Sequence, residues 1–161
     1  MIPEKPMPGF MSATLKLTLS GKDIIANAMF QKGKEFFEAA EFIKGKQSEN
    51  SVYLHLLCQS FEIIIKSLLL FKDYDKYNPI LQKKIGHNLL KAYDRYKNDL
   101  KINANVKEIQ RELIILNSLY NKHFLRYGTS QDIFLDVKSI NSKNVFELTK
   151  CLVINISKKL K

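Results

Sequence analysis

Between Ser51 and Lys72 the chain reads SVYLHLLCQSFEIIIKSLLLFK, apolar around most of a helix's circumference. Such a segment suits a position surrounded by other helices. At about 1.5 Å per residue it would span roughly 33 Å, long enough to cross a bilayer. Four polar residues argue against a lipid setting. His55, Gln59, Glu62 and Lys66 are spaced 4, 3 and 4, so they stack along one helix face. Unpaired polar groups in a dry interior are costly, so this seam must meet polar partners or line a wetted cleft. Glu62 and Lys66 can also pair with each other, in the favourable i,i+4 order.

The remaining bounds are broad. A chain of 161 residues suits one domain with a core that needs no covalent staples. Cys58 and Cys151 both lie in apolar runs, which reads as two buried thiols in a reducing, cytoplasmic compartment, with no disulfide framework. No leader pattern opens the chain, and no membrane association is expected. The formal net charge of +10 points toward anionic partners such as nucleic acid. Lysine supplies most of it, and the arginines are Arg95, Arg111 and Arg126. A scattered lysine surface is also what plain solvation looks like, and the Lys/Ile/Asn bias can arise from an A+T-rich genome.

In chain order, residues 1–20 read as a tail and an extended arm. Pro3, Pro6 and Pro8 mark the tail, and SATLKLTLS then alternates apolar with polar residues, the period of a strand. A lone strand leaves its backbone unpaired, so the arm should lie across the helices or pair with another chain. The domain proper covers 21–161. Ser20-Gly-Lys-Asp23 reads as a capping box for a helix from Gly21 to Lys44, stopped by Gly45. Its inner face would hold Ile25, Ala28, Met29, Phe36, Ala39, Ala40 and Ile43, with Glu35, Glu38 and Glu41 outside. The short loop before Ser51 makes it antiparallel to the central helix.

After Lys72 the chain turns polar through Asn78-Pro79, and a short ILQKKI segment follows. Asn88 should cap a third helix carrying Leu89, Leu90, Tyr93, Tyr96 and Leu100, leaving His87 in the loop at its mouth. A fourth helix, Val106 to Tyr127, has a buried stripe of Ile109, Leu113, Leu116 and Tyr120. It would place His123 and Arg126 beside that stripe before Gly128 closes it. A last helix from Ser142 to Leu160 buries Val145, Leu148, Leu152 and Ile156. The expected fold is all-α, an up-and-down bundle of about five helices with an extended N-terminal arm.

No glycine-rich phosphate loop, HExxH, CxxC or GxSxG occurs, and no metal or cofactor is expected. The breaks in the pattern lie elsewhere, where function is expected to sit. They are Glu62 and Lys66 on the central helix, Gly86-His87-Asn88-Leu89 in a loop, and His123-Phe-Leu-Arg126-Tyr127-Gly128 at a helix end. In that order on a helical bundle, these resemble the HEPN family (higher eukaryotes and prokaryotes nucleotide-binding domains). Phe36-Phe37-Glu38-Ala39-Ala40 and FEIIIKSLL match its first and central helices. GHNL is similar to its GH-acid-L turn, and LRYG to its RYP-like helix end. The resemblance runs from about Lys22 to the C-terminus.

The resemblance implies RNA or a nucleotide as ligand, a homodimer, and a setting in toxin–antitoxin or phage-defence systems. Many HEPN proteins are metal-independent ribonucleases with an Arg-x4-6-His motif at the dimer cleft. Arg126 matches the arginine, but Gln131, Asp132 and Ile133 occupy the allowed histidine positions. Without that imidazole there is no obvious group to handle the 2′-hydroxyl proton. The leading expectation is therefore a binding module without ribonuclease activity. Its ligand residues would be Arg126, His123 and Tyr127, with His87 and Asn88 beside them, on the seam of His55, Gln59, Glu62 and Lys66. One alternative is a divergent ribonuclease using Arg126 with His123 or His87. Another is a module that binds a protein partner and no nucleic acid.

Overall fold

The computed structural model describes residues 19–46, 51–100, 106–126 and 136–160. Among these the fold is all-α, with six helices and no strand. They are α1 (Leu19–Gly45), α2 (Ser51–Lys72), α3 (Tyr74–Ile80), α4 (Leu89–Leu100), α5 (Val106–Asn121) and α6 (Lys143–Lys159). A π-helical turn, Leu81–Ile85, joins α3 to α4, and a 3-10 turn, Val137–Ser139, precedes α6. The count is six rather than five because Asn78-Pro79 lies inside α3, which Asp73 caps by accepting the Lys76 amide at 3.1 Å. Pro79 falls in the helix's last turn, and the hydrogen-bond ladder then widens to the five-residue step of Gly86 N to Leu81 O.

The central position of α2 follows from its composition. It packs on each of the other five helices, and Leu57, Cys58, Phe61, Ile64, Ile65 and Leu69 are fully enclosed. By length and composition it is the one described helix that could cross a membrane, and most of its apolar stretch is buried against the other helices. The α1 helix lies antiparallel to it, with Lys44 over the Tyr53 ring at one end and Gly33 against Ile64 further along.

The face that α1 buries is a correction to the sequence reading. Ala26, Phe30, Gly33, Phe37 and Ala40 point inward, whereas Ala28 and Ala39 are exposed and Ile25 and Phe36 only half-buried. Gly33 sets the rotation. A Cβ there would stand 2.8 Å from Ile64 Cγ1, and the Ser60 hydroxyl donates to the Gly33 carbonyl at 2.8 Å. Only a residue without a side chain lets the two backbones come this close.

Other boundaries move as well. Helix α1 opens at Leu19, so Leu19 and Ser20 are helical and Ser20 is not a cap ahead of it. The rest of the expected arm, residues 12–18, lies outside the described residues. Cys58 is buried but Cys151 is exposed, because α6 turns Val145, Phe146, Thr149, Leu152, Val153 and Ile156 inward instead. The N-terminus of α6 is capped from another helix. Glu112 of α5, itself buried, accepts the amides of Asn144 at 3.1 Å and Val145 at 2.9 Å. Glu41 is not plain outer surface, since it pairs with Lys150 at 2.7 Å and ties α1 to α6.

Candidate functional site

The polar seam of α2 converges on one buried carboxylate. Glu62 is 3% exposed, and its oxygens collect donors from three parts of the chain. Lys66 Nζ reaches Oε1 at 2.6 Å, the Tyr120 hydroxyl reaches Oε2 at 2.7 Å, and His87 Nδ1 stands 3.1 and 3.2 Å from the two oxygens. The Tyr120 hydroxyl also faces Gln59 Oε1 at 2.8 Å. Lys66, whose side chain is only 13% exposed, splits its donors between Glu62 and the Gly86 carbonyl at 2.6 Å. A carboxylate out of water is tolerable on these terms, with its charge balanced and its lone pairs filled.

The turn that carries His87 is held at every residue. Gly86 adopts a left-handed φ of 53°, which glycine takes without penalty, and its carbonyl is pinned by Lys66. Asn88 Oδ1 accepts the Lys91 amide at 2.9 Å and so caps α4, as its place in the sequence suggests. The Leu89 amide is taken by Asn117 Oδ1 of α5 at 2.8 Å. With both flanks fixed, the His87 side chain projects half into solvent, 53% exposed, while Nδ1 stays on Glu62.

His123 and Arg126 are placed differently from the sequence expectation. Helix α5 ends at Asn121 instead of Tyr127. His123 closes it in the left-handed region, with φ of 61°. The Phe124 amide bonds Leu119 O at 3.0 Å and the His123 amide bonds Tyr120 O at 3.1 Å, the paired closure usually built on glycine at this position. A histidine here carries backbone strain that glycine would not. Beyond it the chain turns again, the Arg126 amide bonding His123 O at 3.0 Å, and Leu125 is buried beneath. Both His123 and Arg126 are therefore exposed in the turn rather than on a helical seam.

These parts meet around Tyr120. Its ring lies 5.8 Å from that of His55 and 6.4 Å from that of His87, and Arg126 lies in the turn that follows it. Burial and the neighbouring Glu62 charge push the phenol well above its ordinary range, so it stays protonated and donates. Burial, then Arg126 and His123, hold the His55 imidazole below its ordinary value. Its Nδ1 is buried without a hydrogen-bond partner among the described residues. Burial and Glu62 likewise push the Cys58 thiol up and leave it inert.

Of the residues singled out by sequence, His55, Gln59, Glu62, Lys66, His87, His123 and Arg126 come together here. Asn88 serves the fold as a cap, and Tyr127 lies outside the described residues. Among the described residues the ion-pair partner of Glu62 is Lys66, with His87 Nδ1 in hydrogen-bond contact, so Arg126 is not its structural counter-ion across the bundle. Tyr120 and Asn117 were not singled out. A tyrosine at an apolar-stripe position reads as a ring, and only a buried acid opposite it gives its hydroxyl meaning. No family model matches the chain, and no curated protein or solved structure matches it either.

Proposed function

We propose that this chain is a HEPN-like module that binds RNA or a nucleotide beside Tyr120, with Arg126 as the phosphate contact. His123 and His87 flank it, with Asn88 in the same turn as His87. The observation that carries the reading is that Arg126 and His123, both exposed, lie in the turn that follows Tyr120, whose hydroxyl is held by the buried Glu62. Arg126 is thus an exposed cation above a floor where the Glu62 carboxylate is already matched by Lys66. A guanidinium there can hold a phosphate by two donors, which lysine cannot do. The chain's net charge of +10 favours encounter with such anions. A homodimer remains part of the proposal, and exposed Ile114, Ile115 and Ile154 offer apolar surface for it. Toxin–antitoxin or phage-defence systems are the setting the resemblance suggests.

A second reading, a metal-independent ribonuclease, has one observation in its favour. The His87 ring stands edge-on to Tyr120, 6.4 Å away, and Arg126 lies in the turn that follows Tyr120, an arrangement that would offer in space the imidazole that is missing after Arg126 in sequence. Fluorescence anisotropy with a labelled single-stranded RNA at rising salt, run in EDTA, tests both. Binding that weakens steeply with ionic strength and leaves the RNA intact is the expected result. Absent or salt-insensitive binding overturns the proposal. Cleavage in EDTA that disappears in Arg126→Ala selects the ribonuclease.

A further inference from the structure

We infer that the cleft between the π-helical turn and α4 is a second anion site, fitted to a phosphate dianion, free or as a monoester. It shares no side chain with the site around Tyr120 and does not depend on RNA binding there. The cleft originates at Pro79. Beyond it the hydrogen-bond ladder widens into the turn Leu81–Ile85, a local form that recurs at functional sites. Helix α4 buries Leu89, Ala92, Tyr93 and Tyr96, which turns Lys91, Asp94, Arg95 and Asn98 outward along one face. Together with Lys84 of the turn, and with Ile80 and Ile85, that face encloses a cleft of about 290 Å³.

Charge singles this cleft out. Its lining holds three cations and one acid, a net charge of +2. Lys84 and Lys91 are exposed and form no ion pair among the described residues. The acid, Asp94, already faces Lys97 at 3.8 Å. Arg95 Nη1 is 3.7 Å from Asp99 Oδ2, too far for a hydrogen bond, and that oxygen accepts from the Tyr77 hydroxyl at 2.8 Å. The guanidinium donors are thus open to a ligand. A carboxylate would bring one negative charge, and so would a phosphodiester of a nucleic-acid backbone. A phosphate monoester brings nearly two, with three accepting oxygens. Arg95 can hold two of those oxygens through its fork, and the lysines act on the group as point charges. The organic part of an ester would rest on Ile80 and Ile85.

Nitrogen–proton NMR of the whole chain, titrated with ethyl phosphate, tests this and shows where the anion sits. Resonances of Lys84, Lys91, Arg95 and Asn98 should move together and saturate. Diethyl phosphate and acetate, each with a single charge, should bind there about fivefold more weakly or worse. Inorganic phosphate separates the two sources: affinity matching the ester assigns the free ion, and a tighter ester assigns a phosphorylated molecule. Arg95→Gln should weaken ethyl phosphate by about tenfold. The double variant Lys84→Ala, Lys91→Ala, changed only at exposed positions, should weaken it as much and decides the matter if Arg95→Gln folds poorly. Diester or acetate binding as tight as the monoester overturns the inference. So do shifts confined to the Arg126 turn, the absence of any response at these four residues, or an unchanged affinity in the double variant.

Discussion

Tyr120 of α5 donates its phenolic hydrogen to Glu62 of α2 across 2.7 Å, between residues 58 apart in the chain. That bond joins the centre of the bundle to the end that carries His87, His123 and Arg126. The ring is an ordinary core residue, 1% exposed, while the hydroxyl helps neutralise the one acid the core contains at this point.

Tyr120→Phe separates the two roles, since it keeps the ring and deletes the donor. Glu62 and Gln59 would each lose a partner at an enclosed position. The expected cost is about 1–3 kcal/mol in urea denaturation. A double-mutant cycle with Glu62→Gln should show coupling, because both changes act on the same hydrogen bond. Strict additivity would mean that the hydroxyl does not serve Glu62.

Lys66→Met should be the more damaging change. It strands a buried carboxylate and frees the Gly86 carbonyl as well. A loss of about 3–5 kcal/mol is expected by the same denaturation. Unchanged stability would show that water reaches the seam.

His123→Gly should stabilise the protein while impairing it. Glycine relieves the left-handed φ at the end of α5, a gain of about 0.5–1 kcal/mol after allowing for the looser unfolded chain. The same variant removes an imidazole from the rim, so RNA affinity should fall. A stabler protein that binds as well as the wild type would make His123 a mere helix stop.

Acid should weaken the fold through His55. Its folded-state value lies below the ordinary one, so the unfolded chain binds more protons as pH falls past about 6.5. The stabilising contribution is complete above that pH and declines below it. Urea midpoints at about pH 7.5 and about pH 5 should differ less in His55→Gln than in the wild type. An identical pH response in both would place His55 in solvent.

The sequence revealed the site more readily than its frame. The 4, 3, 4 spacing of His55, Gln59, Glu62 and Lys66 exposed the seam because a polar line on an apolar helix has no bland packing explanation. Asn88 was legible as a cap for a similar reason, since its side chain acts within its own turn. Gly33 was not, because a glycine inside a helix looks like a weakness until the partner backbone is known. The end of α5 was missed because Gly128 offers the expected stop, whereas His123 takes the left-handed position against its own preference. Glu112 was hidden too, its role being to cap a helix that begins about thirty residues later in the chain.

Arg126→Lys tests the role of Arg126 most directly, because it keeps the charge. Anisotropy with a labelled single-stranded RNA and a urea melt of the same preparation give the two numbers needed. Affinity should drop by about tenfold or more while the melt is unchanged, because an exposed lysine cannot replace a two-point guanidinium contact. A variant that binds RNA as the wild type does but unfolds earlier would contradict this, and would make Arg126 part of the scaffold around Tyr120.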